Sequence, residues 1–213
     1  MVPTVPLPRR PFNRNDPMRP WYENELGWAT VPGAPLRLVT GLRFDVLDVP
    51  AEAGRAALRH LGPTSPVALL GDRMRLLVAA GSAEELPGLL DWLEWGALAL
   101  DLTAIGAGGS IEAPLPPGVD STAAGHPRAA ADGLAVGPPG AAVWLRPPEP
   151  GREVELTLPT LSALSGGAVG GGGGGAPDLV RLVETMATQC HRVRLRRACA
   201  QPLAFSAQPL AFS

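Results

Sequence analysis

Short stretches of alternating apolar and polar residues predict β-strands along much of the chain. Residues 36–49 alternate and are rich in β-branched side chains, so they predict two strands with a break near Gly41. Two apolar runs, 66–70 and 74–79, flank Gly71-Asp72 and predict a β-hairpin. Further short strands are predicted at 28–32, 97–103, 110–113 and 141–145.

Helical periodicity is present in three longer segments. Residues 52–61 share an apolar face and end at Gly62-Pro63. Ser82 is a candidate N-cap for a helix over 83–95. The clearest helix spans 177–200, where an apolar stripe has helical spacing. The stripe consists of Leu179, Leu182, Val183, Met186, Cys190 and Val193. Short helical turns are predicted at 18–27 and 159–164.

These elements predict an α+β fold, with a small mixed or antiparallel sheet, flanking helices, and a C-terminal helix after a glycine linker. A run of six glycines at 170–175 indicates the linker, because such a run maximises backbone freedom. The predicted segments are a disordered Pro- and Arg-rich tail at 1–17, a domain at 18–165 with a loop-rich stretch at 114–140, the Gly-rich linker at 166–176, an amphipathic basic helix at 177–200, and a tail at 201–213 that contains AQPLAFS twice.

The amino-acid composition excludes several kinds of lysine-dependent site. All 18 basic residues in the 213-residue chain are arginines, which excludes Walker A loops, Schiff-base lysines and Ser-x-x-Lys nucleophiles. The net charge of −2 is unevenly distributed, because residues 16–177 carry ten arginines against 18 acidic residues while both ends are basic. Such an acidic domain does not favour nucleic acid as a partner, since backbone binding depends on cation–phosphate contacts.

Cysteine usage and the N-terminal sequence bear on the cellular compartment. Cys190 and Cys199 fit no zinc or CxxC spacing, which favours free thiols in a reducing cytoplasm. The N-terminal residues are rich in proline and arginine and lack the apolar region of a signal peptide. No apolar run approaches the roughly 20 residues of a membrane span. We therefore expect a cytoplasmic protein without a membrane partner.

Three carboxylates in predicted apolar strands are candidates for chemistry: Asp45, Asp48 and Asp101. An acid buried in such a strand is costly unless it is paired, hydrogen-bonded or bound to a metal. Carboxylates on adjacent strands can hold two divalent ions for nucleotidyl transfer. The alternative is that each acid caps a turn or accepts backbone hydrogen bonds.

Five motifs occur in an order that matches one family. Gly27-Trp28 with Val31-Pro32 resembles an opening GW-x-V-x-P strand, and VLDV at 46–49 resembles a first acidic motif. The other three are LLGDRMRLLV at 69–78, Asp101 followed by IGAGGSIEAPLPP at 105–117, and AVWLRP at 142–147. Together they resemble the N-terminal domain of bifunctional DNA primase-polymerases, the prim-pol group of the archaeo-eukaryotic primase superfamily, over residues 20–150.

The resemblance implies a primase-polymerase fold in which Asp48 and Asp101 are catalytic residues and metal ligands, with Asp45 as a further candidate ligand. The family has a histidine that contacts nucleotide phosphates, and Met74 or Arg75 stands at that point here. Arg75 is a candidate phosphate contact, since the guanidinium group suits phosphate oxygens. Two departures count against activity. Pro50 stands where the family has its second acid, and the hairpin lacks the family's histidine. Mg²⁺ or Mn²⁺ is expected only if the acidic site is functional.

The sequence therefore favours a catalytically degenerate primase-polymerase-like protein that acts as a binding or regulatory module. One alternative is an active metal-dependent nucleotidyl transferase with a remodelled site built from the three acids. Another is a scaffold that acts through its basic C-terminal helix and tail. In that alternative, a protein partner or nucleic acid would contact Arg192, Arg194, Arg196 and Arg197.

Overall fold

A computed structural model of the protein describes residues 18–118, 141–161 and 178–200. The predicted segments at 1–17, 166–176 and 201–213 lie outside these residues, as does most of the stretch 114–140. The described residues form an α+β fold with two antiparallel sheets and flanking helices, which confirms the predicted class and adds a second sheet.

The strands and helices follow one another in an order close to the predicted one. They are β1 (Thr30–Val31), β2 (Arg37–Val39), β3 (Phe44–Pro50), α1 (Ala51–Ala57), β4 (Val67–Leu70), β5 (Arg73–Ala79), α2 (Ser82–Trp92), β6 (Thr103–Ile105), β7 (Ser110–Glu112), β8 (Ala142–Arg146) and α3 (Leu179–Ala200). Short π or 3-10 turns cover Trp21–Glu25, Leu58–His60 and Val154–Thr157.

The larger sheet has five strands in the order β6-β3-β5-β4-β8, and the smaller has the order β1-β2-β7. Strands β4 and β5 form the predicted hairpin, in which Leu70 pairs with Arg73. The two-residue loop between them begins at Gly71, whose φ of +57° lies in the left-handed region that favours glycine. The predicted break in 36–49 also occurs, because Gly41 has a φ of +85° between β2 and β3.

One face of the larger sheet packs against the three helices. Leu47 and Val49 of β3 and Leu76 of β5 form a core with α1, α2 and α3. All six residues of the predicted apolar stripe on α3 are buried in this core. Helix α3 is therefore part of the folded domain, and its apolar face does not form a free surface.

The smaller sheet and a group of aromatic residues cover the opposite face. Trp28 and Phe44 lie with ring centroids 4.6 Å apart. The Tyr22 hydroxyl donates to the Pro114 carbonyl and accepts a hydrogen bond of 3.1 Å from the Trp144 indole. Because both faces are covered, every residue of β3 is buried.

Two local predictions are wrong. The strand predicted at 97–103 begins at Thr103, and the residues before it form turns and a loop. The helix predicted over 83–95 begins at Ser82, which makes no capping hydrogen bond because the cap position is Gly81. Within the described part of the chain, no helix is both long and apolar enough to cross a membrane.

Candidate functional site

Strand β3 places Asp45 and Asp48 on opposite faces of the larger sheet. Successive side chains of a strand alternate between its two faces, so residues three apart point in opposite directions. Asp45 contacts the start of α2 on the helix side, whereas Asp48 contacts arginines of β5. The two carboxylates therefore do not meet in one cleft.

Asp45 serves as the N-terminal cap of α2. Its Oδ2 accepts a hydrogen bond of 2.9 Å from the backbone N–H of Ala83, and the residue is fully buried. A carboxylate at this position satisfies a free helix N–H and interacts favourably with the helix dipole. Burial raises the pKa of Asp45, and the backbone hydrogen bond offsets this only in part. The cap expected from Ser82 is thus supplied by a distant strand.

Asp48 is bound by two arginines of the neighbouring strand. Register places it directly opposite Arg75, so the two side chains lie on the same face. Asp48 Oδ1 lies 2.5 Å from Arg73 Nε, and Asp48 Oδ2 lies 2.9 Å from Arg75 Nε. Arg73 Nη2 also donates to the Asp48 main-chain carbonyl at 3.1 Å. Both carboxylate oxygens are therefore occupied by charge-assisted hydrogen bonds.

Asp101 joins the same group from the loop before β6. It precedes Thr103, which pairs with Asp48 across the sheet. Its Oδ1 lies 2.5 Å from Arg73 Nη1, and its Oδ2 lies 3.7 Å from Arg197 Nη1. The Arg73 guanidinium thus bridges the two carboxylates. We call Asp48, Arg73, Arg75 and Asp101 the Asp48 cluster.

The predicted set of three metal-binding carboxylates is not assembled. Asp48 and Asp101 come together, but Asp45 lies on the other face of β3. Among the described residues, no group of three or more His, Cys, Asp or Glu side chains could hold a metal ion. The two acids of the Asp48 cluster are also matched by two arginines, so it lacks the excess negative charge that attracts a divalent cation.

One terminal nitrogen of the Arg75 guanidinium makes no hydrogen bond within the described residues. This nitrogen, Nη1, is buried. The side chain is 12% exposed, so contact with a nucleotide phosphate would require an approach through a covered face. The predicted phosphate role of Arg75 stays a prediction.

The four arginines predicted as a contact surface on α3 are dispersed. Arg194 Nη1 donates to the Ala99 carbonyl at 2.5 Å, and Arg196 Nη2 lies 2.5 Å from Glu52 Oε1. Arg197 faces Asp101, whereas Arg192 lines a pocket beside α1. Three of the four side chains therefore make contacts within the domain.

The spacing of charged residues along β3 and β5 indicates part of this arrangement. The odd spacing of Asp45 and Asp48 along one strand indicates opposite faces. The even spacing of Arg73 and Arg75 indicates one shared face, yet Arg73 was missed as a site residue. Their pairing with Asp48 depends on the register of β3 and β5, which no local pattern specifies.

No protein-family model matches the chain, and no curated protein or solved structure matches it either.

Proposed function

We propose that this chain is a primase-polymerase-like domain without nucleotidyl-transfer activity, which acts as a binding or regulatory module. The observation that carries the proposal is the bridging position of Arg73 between Asp48 and Asp101. The α+β fold with helices on one face of an antiparallel sheet supports it, together with the order of the five sequence motifs.

The chemistry of phosphoryl transfer explains why this arrangement argues against catalysis. Two-metal enzymes use carboxylates to hold divalent ions about 3.5–4 Å apart. Here a fixed guanidinium occupies the space between the two acids, and a divalent cation would have to displace it. Asp45 cannot complete the set without leaving the N-terminus of α2. The acids therefore stabilise the fold, which leaves binding as the function that the geometry supports best.

A primer-synthesis and gap-filling assay on the full chain tests this proposal. With Mg²⁺ or Mn²⁺ we expect no incorporation above the no-protein control, while an active primase-polymerase run in parallel gives products. Incorporation that disappears in Asp101→Ala would overturn the proposal. This variant is suitable because the Asp101 side chain is 44% exposed, so its truncation should disturb the fold less than truncation of the buried Asp48.

Two further variants make the assay specific. Asp48→Asn keeps the shape of the side chain and removes its charge. Glu149→Ala is the matched control, because Glu149 forms an exposed ion pair of 3.0 Å with Arg152 away from the Asp48 cluster. Activity lost in Asp48→Asn and retained in Glu149→Ala would also assign catalysis to the Asp48 cluster.

A further inference from the structure

A pocket of about 480 Å³ lies between the turn Leu58–His60, which follows α1, and the outer face of α3. We call it the α1–α3 pocket. Small-molecule sites usually have volumes of roughly 300–1,000 Å³. All of its lining side chains are polar, and the argument uses six of them: Arg59, His60, Arg181, Glu184, Thr185 and Arg192. A polar lining of this kind favours a polar ligand.

The lining carries more positive than negative charge. Three arginines face one glutamate, Glu184. In the described residues, Arg59 and Arg192 have no carboxylate within the 4.0 Å of an ion pair. Arg181 makes only an exposed contact of 3.5 Å with Asp178. The pocket is therefore a local cationic site in a domain whose sequence is acidic overall.

A hydrogen bond at the rim orients one of these arginines. Arg59 Nε donates to His60 Nε2 at 3.1 Å. His60 Nε2 also lies 2.9 Å from the Thr185 hydroxyl. Burial, Arg59 and Arg181 lower the pKa of His60, which favours a neutral imidazole whose Nε2 lone pair accepts from Arg59. Because only Nε of Arg59 is engaged, its terminal nitrogens remain donors for a ligand.

We propose that the α1–α3 pocket binds a phosphate group, either as the free ion or at the end of a small phosphomonoester. Guanidinium groups match phosphate oxygens in geometry and charge. Arg59 and Arg192 reach the pocket from different helical segments, so they contact an anion from two sides. Arg59 and Arg192 supply two cationic groups without ion-pair partners in the described residues, which favours an anionic ligand.

This proposal goes beyond the proposed function. The α1–α3 pocket shares no residue with the Asp48 cluster. Phosphate binding at the pocket therefore does not depend on whether nucleotidyl transfer has been lost.

Isothermal titration calorimetry of the full chain tests the proposal with three ligands at constant ionic strength: inorganic phosphate, adenosine monophosphate and adenosine. We expect heat from one or both phosphate-bearing ligands and none from adenosine. Phosphate binding at least as tight as that of the nucleotide identifies the free ion, and tighter nucleotide binding identifies a phosphomonoester. Both results support the proposal.

Matched variants connect any binding to this pocket. Arg59→Gln and Arg192→Gln should each weaken binding by about tenfold or more, because each removes a charge-assisted contact. Both arginines are exposed, so the variants should fold, and circular dichroism checks this. Arg152→Gln is the control, since Arg152 is exposed outside the pocket and should leave affinity unchanged.

Two results would overturn the proposal. They are the absence of heat with both phosphate-bearing ligands and binding that is unchanged in both pocket variants.

Discussion

Two groups of arginines in this protein differ in what faces them. In the Asp48 cluster, Arg73 and Arg75 are bound by Asp48, and Arg73 is bound also by Asp101. In the α1–α3 pocket, Arg59 and Arg192 have no ion-pair partner in the described parts of the chain. The neighbours of an arginine thus decide whether its charge stabilises the fold or remains available to a ligand.

The two groups also differ in how the fold produces them. The Asp48 cluster depends on strand register, which sets Asp48 opposite Arg75. The α1–α3 pocket depends on the packing of α3 against α1, which brings distant helical segments together. Substitutions in the Asp48 cluster should therefore change stability, and substitutions in the α1–α3 pocket should change binding.

The largest effect is expected for Asp48→Ala. Removing this carboxylate leaves Arg75 and part of Arg73 without a partner in a largely buried position. Breaking one side of such a pair costs about 3–5 kcal/mol. Urea unfolding measures the loss of stability. The control Glu149→Ala breaks an exposed ion pair and should lower the free energy of unfolding by no more than about 1 kcal/mol. Equal stability of the two variants would contradict the structural role of Asp48.

Cysteine labelling provides a local measure of the same effect. Burial, reinforced by nearby Asp101, raises the pKa of the Cys190 thiol to about 11, and the thiol donates to the Asp101 carbonyl at 3.4 Å. In the folded protein, we expect iodoacetamide to modify exposed Cys199 first. Peptide mass spectrometry should show faster labelling of Cys190 in Asp48→Ala. Cys190 labelling that is as fast as that of Cys199 in the wild type would contradict the buried position.

Asp45→Ala should have the next largest effect. It removes the acceptor that caps α2 at Ala83, and losing such a cap costs about 1–2 kcal/mol. The measurement is again urea unfolding. Ser82→Ala serves as the comparison, because Ser82 makes no capping bond. A larger loss in Ser82→Ala than in Asp45→Ala would reverse the assignment of the cap.

The pH dependence of stability should differ between the wild type and the variant Asp45→Asn. Burial raises the pKa of Asp45 in the folded state. The stability linked to this shift is therefore present below the pKa of the unfolded chain and is lost as pH rises through the folded pKa. Asp45→Asn keeps an acceptor for Ala83 and lacks this loss. The free energy of unfolding should thus shift in favour of Asp45→Asn from acid to neutral pH, and a constant difference would contradict the raised pKa.

The smallest effect on stability is expected in the α1–α3 pocket. Arg59→Gln and Arg192→Gln should change the free energy of unfolding by no more than about 0.5 kcal/mol, because both side chains are exposed and form no ion pair in the described residues. Thermal unfolding in buffer without phosphate measures this. A loss comparable to that of Asp48→Ala would remove the distinction between the two arginine groups.

Several elements could be predicted from the sequence because their signals are local. The turn at Gly71-Asp72 and the alternation around it specify the β4–β5 hairpin. The apolar stripe of α3 specifies a helix with one buried face. The apolar residues around Asp101 predict a strand, but those before Thr103 form turns and a loop. Apolar composition does not distinguish a strand from a loop packed on a core.

The α+β class, most strands and the presence of acids in apolar surroundings follow from local patterns of the sequence. The roles of those acids depend on contacts that form only when the chain folds. Asp45 caps a helix because β3 lies under the start of α2, and Asp48 meets Arg73 and Arg75 because of strand register. Local patterns follow from backbone geometry over a few residues, whereas the partner of a charged side chain is set by segments that come together only on folding.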